Sequence, residues 1–248
     1  MAAIDSPFRY SNGEVATSDT AKAFSWENPV PVNPFWDSFE YCIARNFLGN
    51  FSSTQLSQLP IDATGKDDHA TKAGHLLSFL KDELDREEAA ASGSLFETNH
   101  RRWYDLWQAI FVYQSELDLL EAEETIRMLV ARNPDPKSEV RPSHILAEYL
   151  VKVGKYKEAE ETELPVRAWM DARAHLGRDS PQAINARRII AKALWGQGPP
   201  RRAEAKALVA EIDDIVDGMG GGKFGVYQTE EKRLNNVMKT ELENLKGL

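Results

Sequence analysis

Apolar residues recur three and four positions apart over most of the chain, the spacing that lines one face of an α-helix. The first such run is Phe35, Trp36, Phe39, Ile43 and Phe47. It opens behind Pro34, which suits a first helical turn, and Gly49 ends it. A loop with Pro60 and Gly65 follows. Asp67 or Asp68 then caps a helix of about 20 residues bearing His75, Leu76, Phe79, Leu80 and Leu84, which stops between Ala89 and Gly93. From Asn99 onward helices come in pairs, expected at 102–114/118–132, 142–153/157–175 and 181–196/200–217. The run Gly218-Met219-Gly220-Gly221-Gly222 reads as a flexible break. A last helix at about 227–246 carries Leu234, Val237, Met238, Leu242 and Leu245 on one side. Residues 1–33 lack this periodicity and carry turn signals at Pro7, Asn12-Gly13, Pro29 and Pro31. Phe8, Tyr10, Phe24 and Trp26 nevertheless make them too aromatic for a free tail. The pattern predicts an all-α protein with no sheet and an extended arm packed on its body.

The pairs repeat a motif. In "ILAEYLVKVGKYKEAEE" (145–161), Leu146-Ala147 lies in a first helix, Gly154-Lys155-Tyr156 at the turn and Ala159 in a second helix. The same order returns as Ile190-Ala191, Gly198-Pro199-Pro200 and Ala203, and stands earlier as Ala109-Ile110, Leu117 and Ala122. Small residues let paired helices approach, and glycine permits the tight turn. This segment resembles a tetratricopeptide repeat, and "HLGRDSPQAINARRIIAKALWGQG" resembles the longer variety found in kinesin light chains. The likeness covers 142–216 best, 102–134 less well and 1–95 not at all. It departs from the family at Leu117, at Pro199-Pro200 and at Pro165, a residue that should kink its helix near Glu161. The resemblance implies a short right-handed superhelix of helix pairs, preceded by N-terminal helices and closed by a C-terminal capping helix. The expected organisation is an arm over 1–33, a helical region over 34–98, repeats over 99–217 and a linker with capping helix over 218–248, all in one compact unit.

Composition narrows the function. Thirty basic residues stand against 39 acidic ones, a net charge of −9, which disfavours non-specific nucleic-acid binding. The pairs Arg101-Arg102, Arg187-Arg188 and Arg201-Arg202 are too short to reverse that, though they suit local anion sites. Cys42 is the only cysteine, so an internal disulfide and a cysteine-based zinc site are excluded. Neither a secretory signal nor a membrane-length apolar run is visible, and a cytoplasmic location, with the nucleus as alternative, is expected.

Candidate chemistry is sparse. Asp213-Asp214-Ile215-Val216-Asp217 matches the aspartate-rich magnesium–diphosphate motif of isoprenoid enzymes, with Asn235, Lys239 and Glu243 echoing a second metal motif. The two strings are too close together for that chemistry, and a solvated helix end is the better reading. His69 and His75 fall on different helix faces. His100 beside Arg101, Arg102 and Asp105 reads as a solvated helix start. No catalytic residue, metal or cofactor is assigned.

Repeat arrays bind along the surface formed by the first helix of each pair. Registering those helices puts Tyr104, Trp107 and Phe111 on that surface from one unit, Arg141 and His144 from the next, and Asn185, Arg188, Lys192 and Trp195 from the last. The expected function is a protein-interaction module, in preference to an enzyme, that takes a partner peptide with acidic and apolar side chains. No nucleic acid and no membrane is expected as a partner, and a homo-oligomer is compatible with the pattern. The alternative is a small-molecule binder or enzyme with an aromatic pocket in the N-terminal half. A third reading is a structural subunit whose groove is filled by its own arm or its C-terminal helix.

Overall fold

In the computed structural model, residues 7–16, 27–61 and 66–244 are described. The chain divides into two compact units, residues 1–129 and 130–248. The division falls inside the array expected over 99–217.

The first unit holds a small sheet that the sequence pattern does not announce. Strand β1 (Phe8–Arg9) pairs antiparallel with β2 (Val15–Ala16) on one side and β3 (Val30–Pro31) on the other. Strands of two residues are too short to show an alternating pattern, so the expectation of no sheet is corrected here. Tyr10 and Val30 are buried, while Phe24 and Trp26 lie outside the described residues.

The helix expected from Pro34 to Gly49 is two elements, a 3-10 turn at Trp36–Ser38 and helix α1 (Tyr41–Leu48). Phe39 and Glu40 between them are extended. Side chains take the carbonyls that a continuous helix would use. Arg9 Nη2 donates to the Phe39 carbonyl at 2.9 Å, and His69 Nδ1 meets that of Ser38 at 3.0 Å. Helix α2 (Ser53–Gln58) stands where a loop was expected, started by a reciprocal cap between Ser52 and Gln55. Helix α3 (His69–Ala90) is capped by Asp68, and α4 (Leu95–Thr98) leads into α5 (His100–Glu116), which packs on α3, α4 and α1. Helix α6 (Glu121–Ala131) closes the unit.

The second unit is all helix: α7 (Arg141–Lys152), α8 (Tyr156–Asp171), α9 (Pro181–Gly196), α10 (Arg202–Gly218) and α11 (Gln228–Asn244). Only residues 153–155 join α7 to α8, and the two pack closely, which forces them antiparallel. Gly154 has a φ of +77°, and its neighbour Lys155 donates back to the Leu150 carbonyl at 2.8 Å. This is the left-handed helix ending that favours glycine. The α5–α6 turn uses the same ending with Asp118 at φ +52° and Leu119 donating to Gln114. Asp118, rather than Leu117, therefore stands where Gly154 does. After α9 the place is taken by Gly198, at φ +97°. Ala147, Ala159 and Ala191 are fully buried, but Ala203 is exposed and Ala205 takes the buried place. The 3-10 turn Pro199–Arg201 accounts for the shift.

Helix α8 runs unbroken through the exposed Pro165. The glycine-rich run after α10 is structured: two 3-10 turns, Met219–Gly221 and Gly225–Tyr227, bury Met219, Phe224 and Tyr227. Among the described residues no helix is long and apolar enough to cross a membrane.

Candidate functional site

Helix α9 organises the second unit because it is buried nearly all round, packed by α7, α8, α10 and α11. Two adjacent arginines serve different sides of it. Consecutive helical residues point about 100° apart, and Arg187 and Arg188 take different partners. Arg187, fully buried, grips both carboxylate oxygens of Asp171 at 2.9 and 2.8 Å and Glu211 at 2.9 Å, tying α9 to α8 and α10. Burial alone would raise the Glu211 carboxyl, but Arg187, Arg167 and Arg178 hold it below the usual carboxylate range. Arg188 turns to α11, donating to Asn235 Oδ1 at 2.7 Å and to the side chain and backbone carbonyl of Glu231. Neither arginine is left for an external anion. Arg102 and Arg201 are likewise committed, to Glu83 and Glu87 and to Glu160 and Glu204.

Next to this core lies a groove of about 500 Å³. Val151, Tyr156 and Ile189 give it an apolar floor, and Glu148, Lys152, Asn185, Lys192, Glu241 and Asn244 stand around it, with Arg188 at its base. Helices α7 and α9 supply most of these residues, α8 supplies Tyr156, and α11 supplies Glu241 and Asn244. Lys192 pairs across the groove with Glu241, both partly exposed. Behind Asn185 lies a partly buried relay. Its amide nitrogen sits 3.2 Å from His144 Nε2, and His144 Nδ1 lies 2.6 Å from Glu163 Oε1. Glu163 is wholly buried, and its second oxygen has no hydrogen-bond partner among the described residues. Burial pulls the His144 imidazole down, but the Glu163 carboxylate outweighs this and holds it above the ordinary histidine value. Burial pushes the Glu163 carboxyl up, opposed by His144. Both directions describe one pair that binds a proton more readily than its members do apart.

Asn185, Arg188 and Lys192 thus line one groove, with His144 directly behind it. Arg141 forms an ion pair with Glu139 at 2.6 Å, and Trp195 is buried beneath the Arg202 guanidinium. In the first unit Tyr104 and Phe111 are buried in the core, and Trp107 is half-buried beside Trp103. His100 meets Phe96 edge-to-face at 5.0 Å and lies tilted against Trp103 at 5.7 Å. The aspartate string meets cations of the protein itself: Lys239 is 2.7 Å from Asp213, and Lys232 is 2.8 Å from Asp217. Among the described residues no cluster of three potential metal ligands occurs.

Glu163 and Glu231 were missed by the sequence reading, although a signal existed. Each replaces an apolar residue in a buried helical stripe: Ala159, Glu163, Val166 and Met170 on α8, and Glu231, Asn235, Met238 and Leu242 on α11. A carboxylate in such a stripe needs a buried cationic or donor partner. Comparison of the chain with protein-family models, with curated proteins and with solved structures finds no match.

Proposed function

We propose that helices α7 to α10 form a tetratricopeptide-like array and that the groove over α7 and α9 binds a peptide segment of a partner protein. The observation that supports this is the groove itself: apolar residues with amides and charges of both signs around them, mostly on α7 and α9. The floor takes an apolar side chain. Lys192 takes an acidic one, which replaces Glu241. Both members of that pair are partly exposed, so the exchange costs little, since such pairs contribute about 0–1 kcal/mol.

The test is selection of a displayed peptide library on the full chain, followed by anisotropy titrations of the selected peptides. Glu241→Gln frees Lys192 and should tighten acidic peptides, while Lys192→Glu should weaken them roughly tenfold or more. Peptides that bind both variants like the wild type would overturn the assignment.

A further inference from the structure

Asn185 both lines the groove and meets a histidine ring nitrogen. We propose that His144, acting through Asn185, fixes whether the groove offers its ligand a donor or an acceptor, and so acts as a specificity-determining positioning residue. The inference rests on the groove being the binding surface.

The side-chain amide of Asn185 is two-ended, with an NH2 donor and a carbonyl acceptor. One end faces His144 Nε2 at 3.2 Å, and the residue also lines the groove. What faces His144 leaves the opposite end for a ligand. When the imidazole is neutral with its proton on Nδ1 toward Glu163, Nε2 carries a lone pair. The amide NH2, whose nitrogen stands 3.2 Å from Nε2, then donates to it, and the carbonyl is left as an acceptor for a ligand N–H. When the imidazole is doubly protonated, Nε2–H needs an acceptor. A half-turn of the amide supplies its carbonyl, and the NH2 group is left as a donor for a ligand carbonyl.

Glu163 brings this change into an accessible pH range. It is wholly buried, with one oxygen on His144 at 2.6 Å and the other unpartnered among the described residues, so the imidazolium is what balances its charge. The remaining charges around His144 act less directly. Glu148 on its own helix also favours the imidazolium. Arg141, one turn away, is paired with Glu139. Glu160 on α8 is held by Arg201, and Arg188 on α9 by Glu231. A peptide backbone carries both N–H and C=O groups, so the switch selects which of them is engaged at Asn185, and with it the register of the peptide.

The test needs no ligand: nitrogen-15 spectra of the full chain, labelled at histidine rings and asparagine amides, from about pH 5.5 to about pH 9. The Asn185 amide resonances should move with the same midpoint as His144 Nε2. In Glu163→Gln, the common midpoint should fall by about 1–3 pH units, the shift expected on losing an adjacent opposite charge. An Asn185 amide that stays fixed while His144 titrates would overturn the proposal, as would a His144 Nε2 that holds one protonation state throughout. If Glu163→Gln does not fold, the wild-type titration alone decides. Coupled titration in a protein that binds no displayed peptide would leave the relay standing and remove the peptide reading instead.

Discussion

Single residues carry much of the second unit's stability because its buried charges are few and specifically paired. Arg187 is fully buried and holds three helices through Asp171 and Glu211. Arg187→Met should cost about 3 kcal/mol, the lower end of what removing one member of a buried pair costs, since both carboxylates are more than a quarter exposed and regain water. Arg187→Lys should recover only part of this, because one ammonium cannot meet both oxygens of Asp171 and Glu211 together. Urea midpoints of the two variants check the order. The His144–Glu163 pair makes stability depend on pH. The His144 value is raised in the folded state, so its contribution is complete below the unfolded histidine value and is lost as pH rises through the folded one. The raised Glu163 carboxyl acts in the same direction, because its ionisation inside the fold is opposed by burial. Denaturation midpoints should therefore fall as pH rises from about 6 to about 9, with a flatter profile in Glu163→Gln. A profile that rises over that range in the wild type would contradict the pairing. The sequence shows the arginines but not their partners. Arg187-Arg188 reads as one basic patch until helical geometry separates the two by a third of a turn.

At the scale of elements, the sequence announces what is periodic and hides what depends on distant partners. The boundaries of α7 and α9 follow from apolar spacing together with Gly154 and Gly198 just past their ends. The break at Phe39 and Glu40 was not legible, since it depends on Arg9 and His69 taking carbonyls from afar in sequence. The small-residue column slipped at Ala203 because the turn Pro199–Arg201 adds residues that periodicity does not register. Close packing gives an element-scale test. A methyl group on Gly196 would lie 2.5 Å from the Tyr156 ring, whereas one on Gly74 in α3 meets nothing within 4 Å. Gly74→Ala should stabilise by up to about 1 kcal/mol through helix propensity. Gly196→Ala should instead destabilise by about 1–3 kcal/mol through overpacking. Combining Gly196→Ala with Tyr156→Ala should give a change well short of the two single effects added, because the clash is shared. Additive effects in thermal unfolding would show that the ring does not press on α9.

For the whole molecule, the all-α character was readable and the division into two units was not. A periodic pattern continues through residue 130 without marking where one set of internal contacts gives way to another. Residues 134–138, just past the division, are all exposed and include Lys137. Limited trypsin digestion should cut first at Arg132 or Lys137, and a first cut inside α8 or α9 would contradict the two-unit description. The aromatic first half was left open as a ligand pocket, but Phe35, Trp36, Phe39, Phe47 and Tyr113 pack on one another as core. The proposal places the binding surface instead in the groove of α7, α9 and α11. Backbone amide shift mapping with a library-selected peptide tests it most directly. The account predicts that the perturbed residues cluster at Glu148, Val151, Asn185, Ile189, Lys192 and Glu241, and that Lys192→Glu removes the perturbation without loss of helicity. A perturbed set centred on Trp107 or on the sheet of the first unit would contradict it.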